Sequence, residues 1–353
     1  MSERFRTGAG RELAIQALFL IGPLLAVLIL GGLILLALGA NPFSYYAFVV
    51  ERGMLRPSGL EATLTRMGPL LLIASGLIIA FRAGVWNLGG DGQFLLAAVM
   101  AAALAPLLHQ AGWPVWLLLM AGLLTGAITG AAWAVLPALL RARQGLNEII
   151  TTLMMSFLGV SLANLLVKLA FLDPTTTTPQ TRTLPVEARL PRLFDTTISS
   201  GLLIGLVVVI LVHLMMTRTA FGLRLRVVGA NPRAALHAGL AVPALTIAVF
   251  ALSAGLVGLA GAVDVLGIQG NIRADWNPAY SLSVVPLVFL ARLNGYGTIV
   301  YVFLFSALSI GAESAARRLG VPGYFSLVIV ALMLITFALS DHFQKRRQRL
   351  SQI

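Results

Sequence analysis

Long apolar runs alternate with short polar stretches along the whole chain. The runs cover residues 13–38, 61–81, 94–108, 115–140, 149–171, 201–216, 244–266, 281–290, 298–312 and 324–339. A helix crosses the hydrocarbon core with about 20 apolar residues at a rise of about 1.5 Å each. The pattern therefore predicts an all-α integral membrane protein of about ten transmembrane helices, with residues 1–353 forming a single polytopic membrane domain. The run at 13–38 follows Arg4, Arg6 and Arg11 as a signal peptide would. It exceeds the apolar core of about 7–15 residues that such peptides carry, so it reads as a retained first helix. Threading the runs in alternation places the N- and C-termini in the cytoplasm, residues 172–200 outside and residues 217–243 inside. On that threading 15 of the 25 lysines and arginines fall inside, the bias that sets membrane orientation.

The polar stretches differ in kind. Residues 41–59, with Tyr45 and Tyr46, read as an outer loop with interfacial tyrosines, and residues 313–320 as an outer turn. Gly122, Gly126 and Gly130 recur every four residues, as a close-packing face for another helix, and Gly255, Gly258 and Gly261 suggest the same for run 244–266. Residues 173–200, rich in Thr and Pro, read as an extended outer loop. Residues 82–93 carry four glycines and place Asn87, Asp91 and Gln93 beside a membrane segment. They are either a cytoplasmic turn in which Asp91 caps the next helix, or irregular backbone at membrane depth, which is tolerated only against protein or water. Runs 94–108 and 281–290 are both short and both adjoin such an interruption. Corresponding breaks in two halves are the mark of repeats in a transporter.

Residues 217–243 form a basic island with Arg218, Arg224, Arg226 and Arg233 and no acidic residue. Inside it lies a short-helix signature: Asn231 as N-cap, Pro232 at the first helical position, Ala234, Ala235 and Ala238 as helix formers, and Gly239 as terminator. The island is either a surface shown to a partner or a solvated loop whose arginines fix topology.

Composition agrees with the pattern: 353 residues, 58% hydrophobic and 11% charged, with mean hydropathy +0.92. The net charge of +12 is explained by topology, and nucleic acid is not an expected partner. Cysteine is absent, which excludes disulfides, thiolate metal sites and cysteine nucleophiles. Neither Lys168 nor Lys345 follows a phosphate-binding glycine pattern, and His109, His213, His237 and His342 show no metal-ligand spacing. The chain reads as a transport subunit, not an enzyme. A gradient-driven carrier buries ionisable groups mid-span, whereas Asp91 and Asp264 fall near span ends. That disfavours a proton-coupled secondary transporter.

Residues 81–93, FRAGVWNLGGDGQ, resemble the F-R-x-G-x-F-N-I-G-x-E-G-Q segment of permease subunits of bacterial ABC importers. The group in question takes nucleosides and simple sugars and is related to the branched-chain amino acid permeases. Residues 146–152, LNEIITT, are similar to its V-N-E-V-I-x-T, and residues 229–239, GANPRAALHAG, to its G-x-N-P-x-A-A-x-x-A-G. Residues 293–297, LNGYG, resemble L-N-P-x-G with Gly295 in place of proline, and Asp91 stands where Glu is usual. The resemblance implies import of nucleosides or simple sugars, with branched-chain amino acids or a related solute as the alternative. It implies cytoplasmic ATP-binding subunits that hydrolyse the ATP, a second permease, and a periplasmic or lipid-anchored solute-binding protein. No cofactor or metal is expected on this chain, and the location implied is the bacterial inner membrane, with 172–200 periplasmic. The coupling segment is carried over to Gly229, Ala230, Asn231, Pro232, Arg233, Ala234, Ala235, Ala238 and Gly239. The translocation pathway or its support is expected at Asn87, Asp91, Gln93, Asn147, Glu148, Asp264, Gln269 and Asn271.

Overall fold

The structure is a computed structural model that describes residues 22, 25–322, 325, 327–329, 331–333, 335–336 and 339–340. The helices in chain order are α1 (Leu25–Ala37), α2 (Pro42–Val50), α3 (Pro57–Arg82), α4 (Gly90–Gln110), α5 (Val115–Trp133), α6 (Val135–Gln144), α7 (Glu148–Leu165), α8 (Gly201–Arg218), α9 (Ala220–Ala230), α10 (Pro232–His237), α11 (Val242–Asp264), α12 (Tyr280–Leu290) and α13 (Gly295–Leu319). Single π-helical turns extend α2, α7 and α11, the last over Val265–Gln269. Among the described residues there is no strand, only two isolated antiparallel bridges. Seven helical segments are long and apolar enough to cross a membrane, with α1 and α12 as shorter apolar helices. The tail at 341–353 and most of the residues before 25 lie outside the described residues.

The chain divides into two compact units, Met1–Leu60 with Ala307–Ile353, and Glu61–Ser306. In the first, Leu35, Tyr45, Val49, Ala312, Ala315 and Phe325 form an apolar cluster. This corrects the reading of 41–59 as a loop, since most of it is helical. Asn41 caps α2 by accepting from the Phe43 amide at 2.9 Å, Pro42 supplies the first helical turn, and Tyr45 and Val49, four residues apart, are buried on one face. Tyr45 is buried and packs edge-on against Phe325 at 5.3 Å, so its ring belongs to this core. The stretch at 313–319 is likewise helical, as the end of α13.

The second unit is built around α11. Gly126 and Gly130 of α5 face Gly258 so closely that a Cβ on Gly258 would fall on the Gly126 carbonyl and lie 2.9 Å from Gly130 Cα. With no hydrophobic gradient between helices in lipid, such backbone-to-backbone approach supplies the dispersion contact that holds them. Gly261 presents its open face to α4 in the same way, at the Phe94 carbonyl. The crossing expected at 94–108 gains full length because α4 starts at Gly90, inside the polar interruption. The run at 115–140 is broken after Trp133 into α5 and α6.

The stretch at 173–200 is tied down rather than free. Thr181 donates its amide to the Ile272 carbonyl at 2.9 Å and Leu184 to that of Gly270 at 2.8 Å. Lys168 pairs with Asp275 at 2.9 Å.

Candidate functional site

The polar interruption is buried in protein. Asn87 and Gln93 are both inaccessible and exchange reciprocal amide hydrogen bonds: Asn87 Nδ2 to Gln93 Oε1 at 3.1 Å and Gln93 Nε2 to Asn87 Oδ1 at 3.0 Å. Asn87 Nδ2 also donates to Ser253 Oγ of α11 at 3.1 Å. Ser253 lies eleven residues into α11, about 16 Å along its axis. Two hydroxyls of α7 complete the arrangement. Thr152 accepts from the Leu88 amide and Ser156 from that of Gly92, both at 3.2 Å. The backbone of the interruption is thus irregular and held against protein. A buried polar group left unpaired costs about 1–3 kcal/mol, and each of these amides has its partner.

Asp91 sits in the first turn of α4 but does not cap it. Its Oδ1 accepts from the Ser281 amide at 3.0 Å, the second residue of α12. At the other end of the interruption Arg82 donates Nε and Nη2 to the Leu293 carbonyl at 3.1 and 2.9 Å, just beyond α12. The ends of α12 carry left-handed non-glycine residues, Ala279 (φ 50°), Arg292 (φ 52°) and Leu293 (φ 57°). Such conformations cost on the order of 1–3 kcal/mol each and persist where surrounding contacts hold them. Phe289 of α12 stacks on Phe81 at 4.7 Å between centroids and meets Trp86 at 5.6 Å.

The other polar residues singled out by sequence lie apart from this cluster. Asn147 caps α7, accepting from the Ile149 amide at 2.9 Å. Glu148 is buried and pairs with Arg141 of α6 at 3.3 Å. Asp264 is fully buried at the end of α11, whereas Gln269 is exposed at the end of the π-helical turn. Asn271 donates to Thr183 Oγ1 at 2.8 Å and so ties onto the stretch at 173–200.

The basic island is mostly helix. Thr219 caps α9 by accepting from Gly222 at 3.1 Å, a helix absent from the sequence reading because its arginines obscured its apolar face. Asn231 caps α10, accepting from the Ala234 amide at 3.0 Å, with Pro232 in the first turn. Gly239 (φ 77°) ends it, and Leu240 donates to the Ala235 carbonyl at 3.0 Å. Ala235 is fully buried within the chain. The exposed face of α10 presents Arg233, Ala234, His237 and Leu236, the last 63% exposed and not singled out by sequence. Thr152, Ser156, Ser253, Ser281 and Arg82 were also missed as contacts. The four-residue spacing of Thr152 and Ser156 on an otherwise apolar helix was the available signal.

A polytopic helical protein with a buried polar break and an exposed capped helix on a basic loop has the build of a membrane permease. Residues 59–337 match the family model described as "Branched-chain amino acid transport system / permease component", and the chain belongs to that family. It is thus a multi-pass membrane protein and a transport component, not an enzyme. The chain is 30% identical to the glucose ABC transporter permease protein TsgB13 of Haloferax volcanii, over 92% of this chain and 87% of that one. It is 28% identical to the nucleoside ABC transporter permease protein NupB of Lactococcus lactis, over 90% of each. With the guanosine ABC transporter permease protein NupP of Bacillus subtilis the identity is 26%, over 91% and 93%.

Proposed function

We propose that this chain is the permease subunit of an ATP-driven importer of nucleosides or simple sugars, and that α10 is its coupling helix. The observation that carries the coupling assignment is α10 itself, capped at both ends and presenting Leu236 and Arg233 outward from a basic loop. An exposed leucine in a polar loop suits burial in a groove on a partner, and the arginine suits acidic groups at its rim. The relatives' solutes, glucose and nucleosides, support the solute class.

The partners are ATP-binding subunits, which bind and hydrolyse the nucleotide, a second permease, and a periplasmic or lipid-anchored solute-binding protein. This chain binds no cofactor. The chain spans the bacterial inner membrane about ten times as one polytopic domain, its halves related as repeats and both termini inside. Residues 172–200 face the periplasm and 217–243 the cytoplasm. The buried interruption at Asn87–Gln93 supports the route rather than lining it, because its side chains are spent on one another. Asn147, Glu148, Asp264, Gln269 and Asn271 brace the elements around that route.

Two experiments test this. Leu236→Asp is expected to insert normally but to lower copurification of the ATP-binding subunit at least fivefold. Undiminished recovery with undiminished transport contradicts the assignment of α10. For orientation, the absence of native cysteine leaves no background. Cysteine at Thr177 is expected to react with an impermeant maleimide in intact cells, and cysteine at Ala234 only after permeabilisation. Both positions are exposed, so the reverse pattern inverts the topology.

A further inference from the structure

We infer that α12 is the element moved at the inner end of the permease, and that Gly229, Gly84 and Arg82 are the positioning residues that deliver the movement of α10 to it. The inference rests on α10 being the coupling helix. Gly229 lies near the end of α9, three residues before α10 begins. A Cβ on Gly84 would lie 3.0 Å from Gly229 Cα, and one on Gly229 would fall on the Arg82 carbonyl and 2.8 Å from the Ala83 carbonyl carbon. The loop that carries α10 therefore rests backbone on backbone against the first residues of the polar interruption. No flexible side chain intervenes to absorb a displacement.

From those same residues the connection continues to α12. Arg82 holds the Leu293 carbonyl with two hydrogen bonds, and Phe81 stacks on Phe289. At the far end of the interruption Asp91 holds the Ser281 amide. Thus α12 is fastened at both ends to one segment, residues 81–91, and that segment is what Gly229 touches. The helix is eleven residues long, contains Pro286, and is bounded by left-handed Ala279, Arg292 and Leu293. A short helix between strained ends has two places where the chain can re-set its dihedrals while the helix moves as a body.

The test uses the complete transporter in proteoliposomes, with a single cysteine at Leu282, which is 48% exposed on α12. In the parent, the rate of maleimide labelling at this cysteine is expected to change at least threefold between nucleotide-free and ATP-bound complex. In Arg82→Ala the ATP-binding subunits should copurify at the parental level, and in Arg82→Ala and Gly229→Ala alike the labelling rate should no longer respond to ATP. Arg82→Lys, which keeps one donor nitrogen in place of the two that Arg82 uses, should restore part of the response. A labelling response that persists in both Gly229→Ala and Arg82→Ala overturns the inference, as does a parent without any response while ATP is hydrolysed. Leu236→Asp is run beside them. If it leaves the ATP-binding subunit bound, the assignment of α10 fails, a result separate from loss of response in a fully docked complex.

Discussion

Gly258→Leu is expected to abolish recovery of folded protein. In the parent, Gly258 of α11 meets the Gly126 carbonyl and the Gly130 backbone of α5, and a Cβ on Gly126 would lie 2.5 Å from that of Ala262. Backbone lines both sides of the contact, so no side chain can swing aside to admit four added carbons. Overpacking in an ordinary core costs about 1–3 kcal/mol, occasionally more, when side chains can shift. Here two helices must separate along the interface on which the second unit is built, and the cost is expected to exceed that range. Gly255→Ala is the control. Its Cβ would find its nearest neighbour, the Ala127 carbonyl, at an ordinary 3.5 Å. Size-exclusion profiles and thermal unfolding in detergent are expected to show a monodisperse peak with parental Tm for Gly255→Ala and aggregate for Gly258→Leu. A monodisperse Gly258→Leu protein with parental Tm contradicts the packing.

The second large effect is expected at Gly90. A Cβ there falls on Ser281 Oγ and lies 2.6 Å from Ser281 Cβ, at the start of α12. Gly90→Leu should drive α12 off the interruption and reduce uptake by the assembled transporter at least tenfold. Asp91→Asn is expected to keep more than half of the uptake. The asparagine Oδ1 accepts from the Ser281 amide as the carboxylate does, and only the charge is lost. Uptake by both variants in complexes of equal assembly separates shape from charge. An inactive Asp91→Asn beside an active Gly90→Leu contradicts the supporting role of the interruption and favours a charge-dependent mechanism.

What was legible in the sequence follows from the range of each interaction. Seven of the ten expected runs were legible as helices long and apolar enough to cross, because about twenty apolar residues in a row have one solvent that suits them. The small-residue faces were legible from spacings of four residues on α5 and three on α11, and α10 from its caps, since capping is decided within a few residues. Helix α2 was missed because its short apolar face becomes decisive only against Ala312 and Phe325, far along the chain. The partners of Asn87 were illegible for the same reason, Ser253 being 166 residues away. Ala235 and Leu236 show the limit within α10. The sequence supports a helix there, but which side is buried depends on where the rest of the unit lies, and the structure buries Ala235 and exposes Leu236.

The most direct test of the transport assignment is uptake by the complete complex of this chain, the proposed second permease, the ATP-binding subunits and the solute-binding protein in proteoliposomes. Labelled guanosine and labelled glucose are offered in parallel, with ATP or ADP on the ATPase side and with or without a protonophore. The account predicts accumulation of at least one of the two with ATP, none with ADP, and no effect of the protonophore. Accumulation that needs no ATP-binding subunit and collapses with the protonophore contradicts it, as does an ATP-hydrolysing complex that moves neither solute.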